Sequence, residues 1–266
     1  MQISSIRMNN NICTKCGLCV RVCGKAITLG EKGPEIDLSR CNGCGHCASV
    51  CPTGAIENPK APLLREVYIP SYEEATTFLR SSRSVRFFKD ETVPRETMTK
   101  LIDIGRYPQT GSNSQGISYI VLEGKDKIRK LLELFCSLAD KYCPKNPDIG
   151  WIDRAVNAFR KTGKDGILRD CPELIFALSE EYDHRGRENA QFSLTFIALT
   201  APTLGIGTCW AGIFERFACH EEYGKPIAEA VGVPEGKRIR GVMMAGIPDI
   251  EFRRIVERDP LDLRFV

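Results

Sequence analysis

Eight of the chain's 13 cysteines fall between Cys13 and Cys51. Cys13, Cys16, Cys19 and Cys23 stand two, two and three residues apart, and Cys41, Cys44, Cys47 and Cys51 repeat that spacing. Thiolates set this densely bind metal or carry redox chemistry. Cys136, Cys143, Cys171, Cys209 and Cys219 are scattered. Met1–Asn11 has neither an apolar core nor a cleavage pattern, so the chain is expected in the cytoplasm, where disulfides do not persist. Paired zinc sites would leave extra cysteines in each run and do not require triplet spacing. His46, inside the second run, reads as a solvated loop residue.

No other chemistry competes. The formal charge of +3, from 37 basic and 34 acidic residues, is too small to argue for nucleic acid or an anionic membrane. Apolar stretches such as Phe192–Ala201 fall far short of the roughly 20 residues a membrane span needs. HExxH, GxSxG and P-loop patterns are absent from the sequence. His184 and His220 stand alone and read as surface residues, and no acid–base pair is evident.

The elements that must position these cysteines change character near residue 60. Asn58–Pro62 is a stiff, non-helical connector, which places a domain at 1–60 and another at 61–266. A piece of ~60 residues is marginal for a self-supporting core, and bound metal would supply the missing cross-links. The first piece is an internal repeat: CTKCGLCVRVCGKAI at Cys13–Ile27, then CNGCGHCASVCPTGAI at Cys41–Ile56. Gly17, Gly43 and Gly45 let the backbone close on a bound group, with amides free for sulfur. In the second piece, Ser71–Glu74 is a capping box opening a helix to about Arg80. Pro94 opens another, with Met98, Leu101, Ile102 and Ile104 on its apolar face. Ile117–Leu122, Leu174–Leu178 and Arg240–Ala245 read as strands. Lys127–Ala139 and Glu188–Leu204 read as helices, the latter apolar nearly all round and so expected to be buried. Without a regular βαβ repeat, the class is α+β.

The two runs, the second ending in Cys51–Pro52, resemble those of gene-duplicated bacterial ferredoxins carrying two [4Fe–4S] clusters. The physical reason is reach. Three cysteines two residues apart wrap three corners of one cubane, and the fourth lies too far along to close on it. The resemblance therefore assigns Cys13, Cys16, Cys19 and Cys51 to one cluster, and Cys41, Cys44, Cys47 and Cys23 to the other. Gly24 stands where the pattern has proline.

From Ser71 to Val266 the chain resembles the FMN-dependent nitroreductase family, through four segments in order. Ser82–Phe87 matches the basic stretch at the flavin phosphate and pyrimidine edge. There Arg83, Ser84 and Arg86 are the implied contacts, and Arg86 at the N1/O2 edge would stabilise the reduced anionic ring. Ser82 stands where the family has arginine. Thr110–Gln115 matches the polar loop that reaches the flavin from the partner subunit, through Thr110, Gly111, Asn113 and Gln115; Gly116 replaces the family's proline. Gly205–Gly212 matches the stretch whose backbone amide meets flavin N5, implying that Ala211 and Gly212 face the ring and that Cys209 packs. Met244–Pro248, with Arg254 and Arg258 beyond it, matches the C-terminal phosphate contacts.

Together the resemblances imply an α+β nitroreductase-like FMN domain behind an N-terminal ferredoxin-like head, assembled as a homodimer. They imply an oxidoreductase passing single electrons from a ferredoxin-like donor through the clusters to FMN and on to a small organic acceptor. The alternative is an electron-carrier or redox-sensing module whose acceptor is a protein.

Overall fold

A computed structural model describes residues 6–62 and 67–266. Residues 1–5 of the leading segment and Leu63–Glu66, just beyond the expected boundary, lie outside the described residues. The chain divides into two compact units: Met1–Pro70 with Gly111–Ser114, and Ser71–Thr110 with Gln115–Val266.

In the first unit, β1 (Arg7–Met8), α1 (Leu18–Val22), β2 (Ile27–Gly30), β3 (Gly33–Ile36), α2 (His46–Ser49) and β4 (Ile56–Glu57) follow in order. β1 pairs antiparallel with β4, and β2 with β3. The sequence repeat is a structural repeat. Each short helix is entered through a left-handed glycine, Gly17 at φ 75° and Gly45 at φ 80°. Two residues before each, Lys15 (φ 54°) and Gly43 (φ 66°) adopt the same hand, so a lysine holds a conformation its repeat partner gives to glycine. Among the described residues the buried apolar cluster is Cys19, Ile27, Cys47 and Ile56, as small as the length implied. Gly111–Ser114 belongs to this unit through Asn42. Asn42 Nδ2 donates to the Ser112 carbonyl at 3.3 Å, and Asn113 Nδ2 donates to the Asn42 carbonyl at 3.0 Å.

The second unit contains α3 (Tyr72–Ser81), α4 (Arg95–Asp103), β5 (Ser118–Glu123), α5 (Lys125–Tyr142), α6 (Ile152–Thr162), β6 (Glu173–Glu180), α7 (Gly186–Thr200), β7 (Gly207–Trp210), α8 (Gly212–Ala218), α9 (Lys225–Val231) and β8 (Lys237–Gly246). The strands form one antiparallel sheet in the order β5-β6-β8-β7. Both faces of β6 are covered: Leu174, Phe176 and Leu178 join a core with α5, α6, α8 and α9, while Ile175 and Ala177 join another with α4 and α7. A strand covered on both faces loses polar alternation, which is why β6 reads as a continuous apolar run. The unit is thus α+β, a sheet between two helical layers. The capping box at Ser71 and Glu74 forms in both directions.

α7 departs from expectation. Its inward face is buried through Ala190, Leu194 and Ile197, but Phe192 and Phe196, one turn apart, are 53% and 41% exposed in the single chain. One helix face packs on the sheet, so an apolar residue on the other face stays outside whatever its type.

Candidate functional site

In the first unit, Cys13, Cys16, Cys19 and Cys51 line one small cavity with Met8, Pro34 and Ile56. The other four are also neighbours. Burial pushes the Cys47 thiol above its ordinary value, and Cys23, Cys41 and Cys44 push it further; burial does the same to Cys19, with Cys13 and Cys16 beside it. Among the described residues no three of His, Cys, Asp or Glu converge as ligands of one ion would. A cubane asks for wider spacing, because each thiolate takes a different iron. Backbone amides point at sulfur at repeat-related places, Lys15 to Cys13 at 3.4 Å and Gly43 to Cys41 at 3.3 Å, and Ala55 adds a third to Cys51 at 3.2 Å. Such amides tune a cluster's potential upward by stabilising added negative charge. His46 is exposed.

The second unit holds a cleft of about 710 Å³, within the range of small-molecule sites. Backbone stitching builds it from distant segments. Val85 N–H donates to the Thr208 carbonyl at 2.9 Å, Lys89 to Ile247 at 2.9 Å and Asp249 to Phe87 at 3.0 Å. These ladders lay the Arg83–Arg86 turn between β7 and the chain beyond β8. Arg83, Ser84 and Arg258 accordingly line one cleft with Arg80, Thr208 and Trp210. Arg83 is held from behind by the carbonyls of Arg80, Ser82 and Arg254. Behind the cleft residues Gln191 and Leu194, α7 approaches β8 at Gly241, where a Cβ would come within 2.6 Å of Leu194 and 3.6 Å of Gln191 Nε2. That Nε2 is buried and has no hydrogen-bond partner among the described residues. It is a donor in want of an acceptor, in the wall of the cleft.

The Gly205–Gly212 stretch becomes β7 and the entry to α8. Ala211 is buried and its amide donates to the Val242 carbonyl at 3.0 Å. Gly212, the first residue of α8, has no intrahelical acceptor for its amide. Of the two, Gly212 is therefore the one with a donor to offer a ligand.

The family model Nitroreductase matches residues 79–247, more than half the chain, and the model 4Fe-4S dicluster domain matches residues 6–55. The chain belongs to the nitroreductase family. An Archaeoglobus fulgidus protein, provisionally named NADH dehydrogenase/NAD(P)H nitroreductase, is 25% identical over 179 residues, 67% of this chain and 88% of its own length. Among solved structures, a Bacteroides fragilis nitroreductase with bound FMN aligns at TM-score 0.57 and 17% identity, covering 72% of this chain and 99% of that one. An FMN-dependent nitroreductase of Clostridium difficile aligns at 0.56 and 16%, covering 73% and 100%.

In this nitroreductase-family chain the cleft does not collect every expected contact. Arg86 and Arg254 are exposed and outside its lining. Thr110 and Gln115 face each other, Gln115 N–H donating to Thr110 Oγ1 at 3.0 Å, while Gly111 and Asn113 lie in the first unit. Arg80, Gln191, Trp210 and Glu215 escaped the sequence reading. Gln191 left one trace: with Asn189 and Ser193 it puts polar side chains among the buried apolar residues of α7. Cys209 is 6% exposed and packs, its thiol donating to the Trp210 carbonyl at 3.6 Å. Burial pushes Cys136 and Cys143 up to about 11, so neither is a ready nucleophile. No helix among the described residues is long and apolar enough to cross a membrane.

Proposed function

We propose that the chain is an iron–sulfur flavoenzyme that relays electrons from a one-electron protein donor, through two [4Fe–4S] clusters and FMN, to a small organic acceptor. The observation that carries this is the single cleft lined by Arg83, Ser84, Trp210 and Arg258, into whose wall the orphan amide of Gln191 is built. A donor buried without an acceptor is costly, and a flavin carbonyl would satisfy it. Arg83 and Arg258 suit a phosphate by charge-assisted bonds. The Gly212 amide suits the ring edge. The cysteines fit clusters as two sets of four thiols, Cys13, Cys16, Cys19 and Cys51 around one cavity and Cys23, Cys41 and Cys44 around Cys47.

Bound flavin supplies both one- and two-electron chemistry, and clusters supply one electron each. The chain's part is to bind, orient and exclude water. Exposed Phe192 and Phe196 on α7 favour a homodimer in which each is covered. In that dimer Thr110–Gln115 would complete the partner's cleft. Domain limits of 1–60 and 61–266, with the connector between them, belong to the same proposal, as does a ferredoxin-like carrier as donor. Arg7, Lys15, Arg21, Lys25 and Lys32 are all exposed on the first unit and would steer an acidic carrier.

Denaturing the purified protein should release one FMN per chain, and Arg258→Gln should weaken FMN binding by about 1.5–3 kcal/mol. A protein that purifies without flavin and takes up none would refute the proposal.

A further inference from the structure

A second cavity of about 400 Å³ adjoins the cleft, lined by Arg187, Trp210, Gly212, Glu215, Arg216 and His220 together with Cys219. Trp210 belongs to both cavities. We propose that this second cavity is a subsite for a carboxylate on the organic acceptor, with Arg216 and Arg187 as its ligands. The inference rests on the reading of the larger cleft as the flavin site, and it names the class of acceptor that site serves.

Two exposed arginines from separate elements line it, Arg187 in the first turn of α7 and Arg216 on α8. The cavity's one carboxylate is already engaged. Glu215, 3% exposed, accepts the Trp210 indole N–H at 2.5 Å and the Val242 amide at 3.0 Å through Oε2. Its Oε1 stands 3.7 Å from Arg187, a weak pairing that leaves most of that guanidinium's donors open. Arg216 has no hydrogen-bond or ion-pair partner among the described residues. The neighbouring arginines are committed elsewhere. Arg238 is bound to Glu221 and the Cys219 carbonyl, and Arg240 to Ser179 and the carbonyls of Glu180, Glu181 and Asp183. His220 adds a ring donor: its Nδ1 accepts the amides of Glu222 and Tyr223, which leaves Nε2 to donate.

The cavity therefore offers more positive charge than its own acid answers, in a fork geometry suited to a planar anion. Its volume suits a small aromatic or aliphatic acid. Trp210 lines both this cavity and the larger cleft, so an acid anchored on Arg216 would lie with its body toward that cleft. A neutral acceptor would gain nothing from either arginine.

Benzoate and benzamide separate charge from shape. Titrated into the oxidised, FMN-loaded full chain, benzoate should perturb the flavin absorbance saturably and bind about tenfold more tightly than benzamide, with the preference shrinking at high salt. Arg216→Gln should lower benzoate affinity about tenfold. With a chemically reduced enzyme, Arg216→Gln and Arg187→Gln should each lower the kcat/KM ratio of 4-nitrobenzoate over 4-nitrobenzamide, mainly through KM. Arg253→Gln, outside both cavities, should leave the ratio alone. Equal affinity for benzoate and benzamide in flavin-loaded protein, or a ratio untouched by Arg216→Gln, would overturn the subsite and leave the flavin reading standing. Protein that binds no FMN would overturn both.

Discussion

The indole N–H of Trp210 is fastened to Glu215 Oε2 across 2.5 Å, so one buried carboxylate sets the wall between the cleft and the arginine-lined cavity. The same oxygen takes the Val242 amide of β8. Glu215→Ala would orphan a buried sheet amide and an indole N–H and should cost about 1–3 kcal/mol in chemical denaturation. Glu215→Gln keeps an acceptor and should cost less. Equal stability of Glu215→Ala and the parent chain would show that the Glu215 bonds do not hold the wall.

Glu173 makes stability depend on pH. It lies at the start of β6, 1% exposed, with Oε1 accepting the Val93 amide at 2.6 Å and Oε2 buried without a partner. Burial pushes its carboxyl up to about 7, against the opposing Val93 bond and with help from Glu123. The folded chain therefore keeps a proton that the unfolded chain has lost. The Glu173 contribution to stability should be highest below the unfolded value near 4.5, fall as pH rises to about 7 and level off above it, a loss of about 3 kcal/mol. Urea unfolding across that range should show the slope in the parent and a flatter profile in Glu173→Gln. Identical slopes in the two would contradict the assignment.

The exchange of fourth ligands can be tested at Cys23. It follows Cys19 in sequence but neighbours Cys47 in the fold. Anaerobic analysis should find about eight irons and eight sulfides per chain. Cys23→Ala should disturb the magnetic spectrum of the cluster on Cys41, Cys44 and Cys47 and spare the other. Four irons in the parent, or damage confined to the cluster on Cys13, Cys16 and Cys19, would sink the swapped arrangement.

Most of the fold was legible where pattern and burial agree. The resemblance to duplicated ferredoxins implied the neighbours Cys13, Cys16, Cys19 and Cys51, which line one cavity. The capping box at Ser71 and the apolar run of β6 were plain for local reasons. α6 and β7 were missed: Ile152–Thr162 shows its stripe only over three turns, and Gly207–Trp210 is glycine-led and only four residues long, laddered to β8 with a single bridge to Ser84 on its other side. Phe192 and Phe196 were misplaced because composition cannot say which helix face a sheet will cover. Glu215 and Gln191 were invisible because their importance lies in partners far along the chain, Val242 and the cleft wall, which no spacing rule records. The bond from the Asn113 amide nitrogen to Asn42, between Cys41 and Cys44, was likewise invisible; only the folded loop shows that link.

The relay itself is tested most directly by anaerobic stopped-flow on the intact protein. Reduced ferredoxin should bleach the cluster absorbance first and the flavin second, and both should slow as ionic strength screens Arg7, Lys15, Arg21, Lys25 and Lys32. NADPH should reduce the flavin too slowly to support turnover. Flavin reduced by NADPH at the rate of turnover, while the clusters stay oxidised, would contradict the relay.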